Sequence, residues 1–453
     1  MVHAALPSVI PGRTCATTCR SSRSRIWRSS RRSCRCRRFS WSTRPSRSRR
    51  WQSSLRSRQR SRATWALRQP ASTACRTRRW HGDSTDPVPR GSRRRHPGHD
   101  LAAQAGLGAL PKKSALTDYS YRTGHEHQRA LLAGLDAAMI KGGLATGSEA
   151  IFDLDFHAVM HWGQDPVLEK HYVPTRSQRA RSVLTFFAQD SGTHNLVYAN
   201  AELTKAGQAR EVIAFCDHWK AVSGADPRML IMDQKVTTQP VLAELNRRGV
   251  TFLTLRMRSP ALLRQIDSLT AADFKTITLN RPGRHNRPRV HESRARLTTY
   301  PDPVRQLIVT GLGRDAPTVI ITNDDTLSVK ALIEHYARRM TIEQRLAEII
   351  QAFHADALSS TVNLNVDLDI TLCVLAQAVL AALRARLPGY AAVTPDTLQR
   401  RFLETPGTIT TTPDTITVRL DRRAYAPVLR QASLPNDTTV PWWDNRTLHY
   451  EIS

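Results

Sequence analysis

A continuous apolar run that ends in a carboxylate constrains the fold more than any other segment. Met229–Met232 contains no polar residue, and Asp233 follows it directly. Such a run is typical of a central parallel strand, because helices cover both faces of parallel sheets. The residue at the carboxyl end of such a strand commonly lies in a site. The helix Gln239–Arg248 and the strand Val250–Leu255 follow, so this region predicts an α/β core with a mixed sheet.

An earlier strand carries acids on one of its faces. In Glu149–His161 the side chains of Asp153, Asp155 and His157 alternate with apolar residues. Two carboxylates on an otherwise buried strand need an explanation, because isolated buried charge is costly. The surrounding segments complete the alternating pattern: helices at Gln128–Ile140 and Glu211–Val222, and strands at Ser182–Ala188 and Asn195–Ala201 joined by the hairpin turn 190–193.

A long amphipathic helix is predicted over His335–His354, after an N-cap in Asn323–Thr326. Helical spacing places Tyr336, Arg339 and Glu343 on one face, together with Met340. An arginine one turn before a carboxylate is suited to holding a phosphate against an acid. A solvated helix face is the alternative interpretation.

The segment between these regions is predicted to be β-rich, with basic loops. Its strands are Phe274–Leu279, Val304–Thr310 and Thr318–Thr322, and Arg281–Arg296 is read as a loop with six Arg and one acid. Candidate phosphate contacts in that loop are Arg284, Arg287 and Arg289, and the alternative is a solvated loop.

The C-terminal part is predicted to contain a core helix, Ile370–Arg386, whose apolar run is too short to span a membrane. A hairpin of Thr408–Thr411 and Ile416–Leu420 follows. Trp442 and Trp443 are expected to pack onto the fold rather than stack on bases. The predicted divisions are 1–100, 101–147, 148–258, 259–322, 323–386 and 387–453.

Residues 1–100 differ from the rest in composition. They hold 26 Arg, three Asp and no Lys, whereas the net charge of the whole chain is +29. One interpretation is a disordered basic arm that grips nucleic acid. The other is a segment translated from a shifted frame, because Lys, Asn, Tyr and Glu are all missing from it. The start lacks the apolar region of a signal peptide, and two lone cysteines in the remainder fit a cytoplasmic protein.

Three acids at strand ends or on a returning helix can meet in such a fold: Asp155, Asp233 and Glu343. A cluster of carboxylates repels itself unless cations occupy it. Two Mg²⁺ ions would neutralise the cluster and support in-line phosphoryl displacement, and Mn²⁺ is the alternative ion.

Four motifs resemble the insertion-sequence DDE transposases. They are Phe-Asp-Leu-Asp-Phe-His at 152–157, Met-Leu-Ile-Met-Asp-Gln-Lys-Val-Thr-Thr at 229–238, Leu-Arg-Met-Arg at 255–258, and Tyr-Ala-Arg-Arg-Met-Thr-Ile-Glu at 336–343. The resemblance implies a ribonuclease-H-like mixed sheet flanked by helices, with a β-strand insertion before the glutamate. It also implies metal-dependent cutting and joining of DNA ends by Asp155, Asp233 and Glu343.

The resemblance further implies DNA ends and target DNA as partners, a homodimer on the DNA and a place in the bacterial cytoplasm at the nucleoid. The family signature Tyr-x2-Arg-x3-Glu is matched by Tyr336, Arg339 and Glu343. The Lys that usually follows seven positions later is replaced by Ile350, and Asp153 competes with Asp155 for the first place in the triad. No counterpart of the family's N-terminal DNA-recognition region is visible in residues 1–100, which the shifted-frame interpretation would explain by a truncated copy.

Two other functions stay open. A ribonuclease-H-like nuclease would cut DNA without joining ends. A non-catalytic basic protein would bind nucleic acid through its Arg/Ser-rich arm.

Overall fold

The computed structural model describes residues 118–119, 121–160, 169–173, 177–234, 236, 238–280, 285–313, 316–355, 362–432 and 434–453. The segment predicted as a basic arm, and Arg284, lie outside these residues. The helices are α1 His125–Lys141, α2 Gln208–Ser223, α3 Gln239–Arg247, α4 Pro260–Asp267, α5 Val329–Arg338, α6 Met340–Phe353, α7 Asn363–Arg386, α8 Pro395–Leu398 and α9 Ala426–Gln431. The strands are β1 Ile151–Met160, β2 Glu169–Val173, β3 Gln178–Asp190, β4 Leu196–Asn200, β5 Met229–Met232, β6 Thr251–Leu255, β7 Lys275–Thr276, β8 Arg289–Ala295, β9 Val304–Thr310, β10 Thr318–Thr322, β11 Gly407–Thr411, β12 Thr415–Leu420, β13 Thr438–Val440 and β14 Arg446–Ile452.

In the described part of the chain, ten strands form one mixed sheet. Strand β1 lies at its centre, antiparallel to β3 and parallel to β5, and β5 is parallel to β6. Strand β4 pairs with β3 in the predicted hairpin. The order β4-β3-β1-β5-β6, with helices on both faces, confirms the predicted α/β class and agrees with the ribonuclease-H-like core implied by the resemblance.

The β-rich insertion continues this same sheet. Strand β10 pairs antiparallel with β6, and β9, β8 and β7 follow outward. The loop predicted for 281–296 is wrong in part, because residues 289–295 form β8. Val290 and Ala295 of β8 are buried, while Arg289 and Arg294 point to solvent. Because arginines are frequent in this segment, its sequence shows no alternating apolar pattern. The strand forms nevertheless, since its pairing with β9 supplies the backbone hydrogen bonds.

The two faces of the sheet bury different clusters. Phe152 of β1 stacks edge-on against Phe215 and Trp219 of α2, with ring centroids 4.9 and 4.6 Å away. Helices α1 and α7 also pack on this face, which is called the far face below. On the opposite face, α5 places Leu332 and Ile333 over the strands of the core and the insertion. Because successive strand residues point to opposite faces, Asp153 and Asp155 belong to the α5 side.

Helix α7 starts earlier than the sequence predicts, at Asn363 rather than near Ile370. Leu364–Arg386 is long and apolar enough to span a membrane by length and composition, with a mean hydropathy of 1.9, but half of it is buried inside the protein. Its polar side chains serve the outer edge of β4: the Gln377 amide oxygen accepts from Leu196 N at 3.1 Å, and Asp367 accepts from Ala201 N at 2.6 Å. These bonds are those of a core helix, as predicted.

The C-terminal part forms a second, four-stranded sheet in the order β11-β12-β14-β13. Its β11–β12 hairpin confirms the one predicted for Thr408–Thr411 and Ile416–Leu420. In the structure Gly407 also belongs to it and pairs with Leu420. The expected packing of the tryptophan pair is wrong for Trp442, which is 65% exposed, because the short helix Pro441–Trp443 turns only Trp443 toward the apolar cluster beneath. The predicted domain divisions stay predictions.

Candidate active site

Strand pairing brings the first two acids side by side. Leu154 of β1 pairs with Met232 of β5, so the residues that follow, Asp155 and Asp233, occupy neighbouring positions where the paired strands end. Adjacent strands lie about 4.8 Å apart. Each carboxylate accepts a local backbone hydrogen bond, Asp155 from Phe156 N at 3.0 Å and Asp233 from Gln234 N at 2.7 Å.

Two helices, not one, bring in the third acid. The single helix predicted for 335–354 is divided at Arg339 into α5 and α6. The N-cap predicted in 323–326 is also wrong: the Ser328 hydroxyl caps α5 by accepting from Ala331 N, while Asp324 closes a tight turn by accepting from Leu327 N. The division leaves Glu343 in the first turn of α6.

The Arg339 guanidinium lies between the carboxylates. Its Nη1 is 3.5 Å from Asp155 Oδ1, and its Nη2 is 3.9 Å from Glu343 Oε1. The side chain is only 7% exposed and lies over the Tyr336 ring, 5.9 Å from its centroid. Tyr336, Arg339 and Glu343, which were predicted to share one helix face, therefore lie on the side of the acids of the sheet. Met340, predicted on the same face, is exposed.

Arg339 has unused hydrogen-bonding capacity. Its Nε and Nη1 are buried and donate to no partner within the described residues. A buried donor without an acceptor is costly, and an arginine fork matches a phosphate. Burial acts to lower the pKa of Arg339, but Asp155, Tyr336, Asp233 and Glu343 together raise it. The guanidinium is therefore a fixed positive charge with a hydrogen-bond donor, Nε, that no described residue uses.

Asp155 has a raised pKa because of its surroundings. Burial raises its pKa to about 6. Arg339 and the Phe156 N–H act to lower that pKa, and the negative charges of Glu343 and Asp233 raise it. A nearby positive charge would offset this repulsion. Among the described residues, no three His, Cys, Asp or Glu side chains converge closely enough to form a metal site as they stand.

Asp153 occupies a different environment from Asp155. It is fully buried, accepts a hydrogen bond from Gln189 Nε2 at 3.3 Å, and its Oδ1 has no partner among the described residues. Burial raises its pKa to about 6, against the lowering effect of Ser191, Gln189 and Arg339. Asp153 lies beneath the site rather than on its surface.

A polar bridge that the sequence did not reveal joins the strand acids to α6. Gln189 Nε2 donates both to Asp153 and to Thr341 Oγ1, the latter at 2.8 Å. Arg345 Nε donates to the His194 carbonyl at 2.9 Å. The β3–β4 hairpin thereby fixes the helix that carries Glu343. A glutamine in an otherwise buried strand end was the available signal.

We expect Gln189→Leu to lower the free energy of unfolding by about 2–3 kcal/mol, because it leaves the buried Asp153 without its donor and removes the bond to Thr341. Urea denaturation measures the change. Gln178→Leu, at the exposed start of the same strand, is the matched control and should change stability by less than about 0.5 kcal/mol. Equal effects of the two substitutions would contradict the bridge.

The basic residues of the insertion lie away from the acids. Arg287 and Arg289 are exposed, and β8 is separated from β1 by β5, β6, β10 and β9. Five strand spacings of about 4.8 Å put them roughly 24 Å from Asp155 across the sheet. The distance separates these arginines from Asp155 and Arg339.

Comparison with known proteins agrees with the geometry. Residues 161–378 match the family Transposase DDE domain, a range that begins after Asp155 and includes Asp233, Arg339 and Glu343. No curated protein matches the chain. A piggyBac transposase, solved as a synaptic complex with hairpin DNA, shows a TM-score of 0.32 at 12% identity over 59% of this chain. The chain spans 59% of that protein's length. The family match identifies residues 161–378 as a DDE transposase domain.

Proposed function

We propose that this protein is a DNA transposase, which cuts the ends of a mobile element and joins them to target DNA by phosphoryl transfer. One observation carries the proposal: the Arg339 guanidinium lies 3.5 Å from Asp155 and 3.9 Å from Glu343, and Asp233 follows the strand that pairs with β1 beside Asp155. The acids come from β1, the end of β5 and the start of α6, segments far apart in the chain.

The donor set fits divalent magnesium. Carboxylate oxygens are the ligands that Mg²⁺ prefers. Burial, and to a smaller extent the charges of Glu343 and Asp233, raise the pKa of Asp155, and a bound cation would offset both effects. Asp155, Asp233 and Glu343 would hold two Mg²⁺ ions, with Mn²⁺ as the alternative. When bound, such ions would supply activation of an attacking water or 3′-hydroxyl and stabilisation of the leaving oxygen.

The protein's own groups bind and orient the DNA. Arg339 would hold the reacting phosphate through its guanidinium, whose Nε has no hydrogen-bond partner among the described residues. Its side chain is kept in place by Tyr336 and the two neighbouring carboxylates. Ile350, where the family signature usually has Lys, supplies no phosphate contact. Arg287 and Arg289 would contact DNA farther from the reacting bond, and Arg284 is proposed with them from the sequence alone.

The partners follow from this chemistry. They are the element's ends and a target duplex, with two copies of the chain acting together so that both ends are cut. The protein would work in the bacterial cytoplasm, at the nucleoid.

The test uses a DNA fragment bearing the inverted repeats that flank the gene, a target plasmid and the full chain. With Mg²⁺ we expect nicks at the repeat ends and joined products, and with EDTA neither. Pre-cut ends isolate the joining step. Cutting without joining would indicate a nuclease instead, and binding without either would indicate a non-catalytic DNA-binding protein; both results would overturn the proposal.

A further inference from the structure

A two-stranded ribbon extends the sheet beyond the acids. Strand β2 pairs with the first half of β3, with Glu169 opposite Ser182 and Val173 opposite Gln178. From Ser182 onward, the same β3 strand pairs with β1 and reaches Phe187 opposite Asp155. The ribbon and the acid-bearing strand are therefore parts of one continuous ladder.

Three cations lie on one face of this ribbon. Lys170 is directly opposite Arg181, and Arg179 is two residues before Arg181. All three residues are exposed. The other face is packed, since His171 is buried and its Nδ1 lies 3.0 Å from Ser182 Oγ.

The cationic face is the face of the acids. Asp155 pairs with Phe187 in the ladder, and paired residues point to the same side of a sheet. Counting back from Phe187 in steps of two gives Arg181 and Arg179. Their side chains therefore leave the sheet on the same side as Asp155.

The arrangement is unfavourable for the isolated protein. Like charges directly opposite each other on a sheet are destabilising, and Lys170 faces Arg181. Within the described residues, none of the three cations forms an ion pair with an acid. The neighbouring Glu169 is on the packed face and accepts from Lys205 N at 2.7 Å. A bound polyanion would relieve the repulsion.

The spacing suits duplex DNA. Six residues separate Phe187 from Arg181, which is about 20 Å along a strand. Phosphates on one strand of DNA advance by about 3.4 Å along the helix axis, so about six nucleotides bridge the acids and the ribbon. That is less than one helical turn of the duplex, so the acids and Arg181 are within the reach of one short DNA segment.

We infer that the ribbon of β2 and the first half of β3 binds the backbone of duplex DNA on one side of the reacting phosphate, through Lys170, Arg179 and Arg181. The inference rests on the proposed transposase function, and adds to it a surface that positions the duplex across the acids.

The experiment measures how the affinity of the full chain for a fluorescein-labelled, mixed-sequence duplex depends on salt, by fluorescence anisotropy in EDTA. The test variant combines Lys170→Gln, Arg179→Gln and Arg181→Gln. The matched control combines Lys141→Gln, Arg210→Gln and Arg264→Gln, which remove the same charges from exposed positions of helices on the far face. Thermal melting confirms that each variant is folded.

Each lost phosphate contact reduces the slope of log K against log salt by about 0.9. We expect the slope of the test variant to fall by about 2.7 and that of the control to stay unchanged. Equal slopes in the two variants would overturn the inference. The proposed function fails separately: if the unsubstituted chain does not cut DNA in Mg²⁺, the transposase proposal falls whatever the slopes are.

Discussion

Asp155→Asn is expected to reduce Mg²⁺-dependent DNA cleavage by at least about a thousandfold, because it removes a charged ligand while keeping the shape of the side chain. Asp155 lies beside Asp233 and Arg339, where a reacting phosphate can approach. Single-turnover cleavage of the repeat-bearing fragment measures the loss. Duplex binding in EDTA should be preserved or slightly stronger, since one repelling charge is removed.

Asp153→Asn is the matched control, because it is the same substitution two residues earlier on the same strand. Asp153 is fully buried and hydrogen-bonded to Gln189, so we expect a modest loss of stability and cleavage within about tenfold of the unsubstituted chain. The reverse result, with Asp153→Asn inactive and Asp155→Asn active, would transfer the first place of the triad to Asp153.

Arg339→Gln is expected to slow cleavage by about a hundredfold to a thousandfold, because a fixed positive charge is lost from the developing transition state. It should also leave Asp155 and Glu343 without their common counter-charge. In EDTA we therefore expect a lower melting temperature, and a larger rise on adding Mg²⁺ than the unsubstituted chain shows.

Arg339→Lys separates the two roles of this side chain. The ammonium keeps the charge but not the planar fork, so melting in EDTA should be largely restored while cleavage stays impaired. If Arg339→Gln responded to Mg²⁺ no more than the unsubstituted chain, the view that the guanidinium balances the charge of a cation site would be wrong.

The sequence alone predicted where the acids lie on their strands, because the patterns that indicate these positions are local. An apolar run ending at Asp233, and an acid-bearing face of β1, follow from the two-residue period of a strand. The position of Glu343 also follows from helical spacing. These positions were predicted without knowing which strands pair.

Nonlocal features were missed for a physical reason. Strand β8 is arginine-rich and is stabilised by its pairing with β9, and β2 is only five residues long, so neither has a clear pattern of its own. The bridge through Gln189 depends on α6 lying over β3, which no periodicity shows. Arg339, where the helix divides, keeps helical backbone angles. No proline or glycine is needed there, so the sequence gives no sign of the division.

The pairing of β10 with β6 has a mechanical consequence. Moving the insertion away from the core would break the row of hydrogen bonds between β10 and β6. The insertion strands are therefore rigidly attached to the core. Helix α5 packs over these strands and meets α6 at Arg339. A small rotation at that joint would move the Arg339 guanidinium and the Glu343 carboxylate together, toward or away from the acids of the sheet.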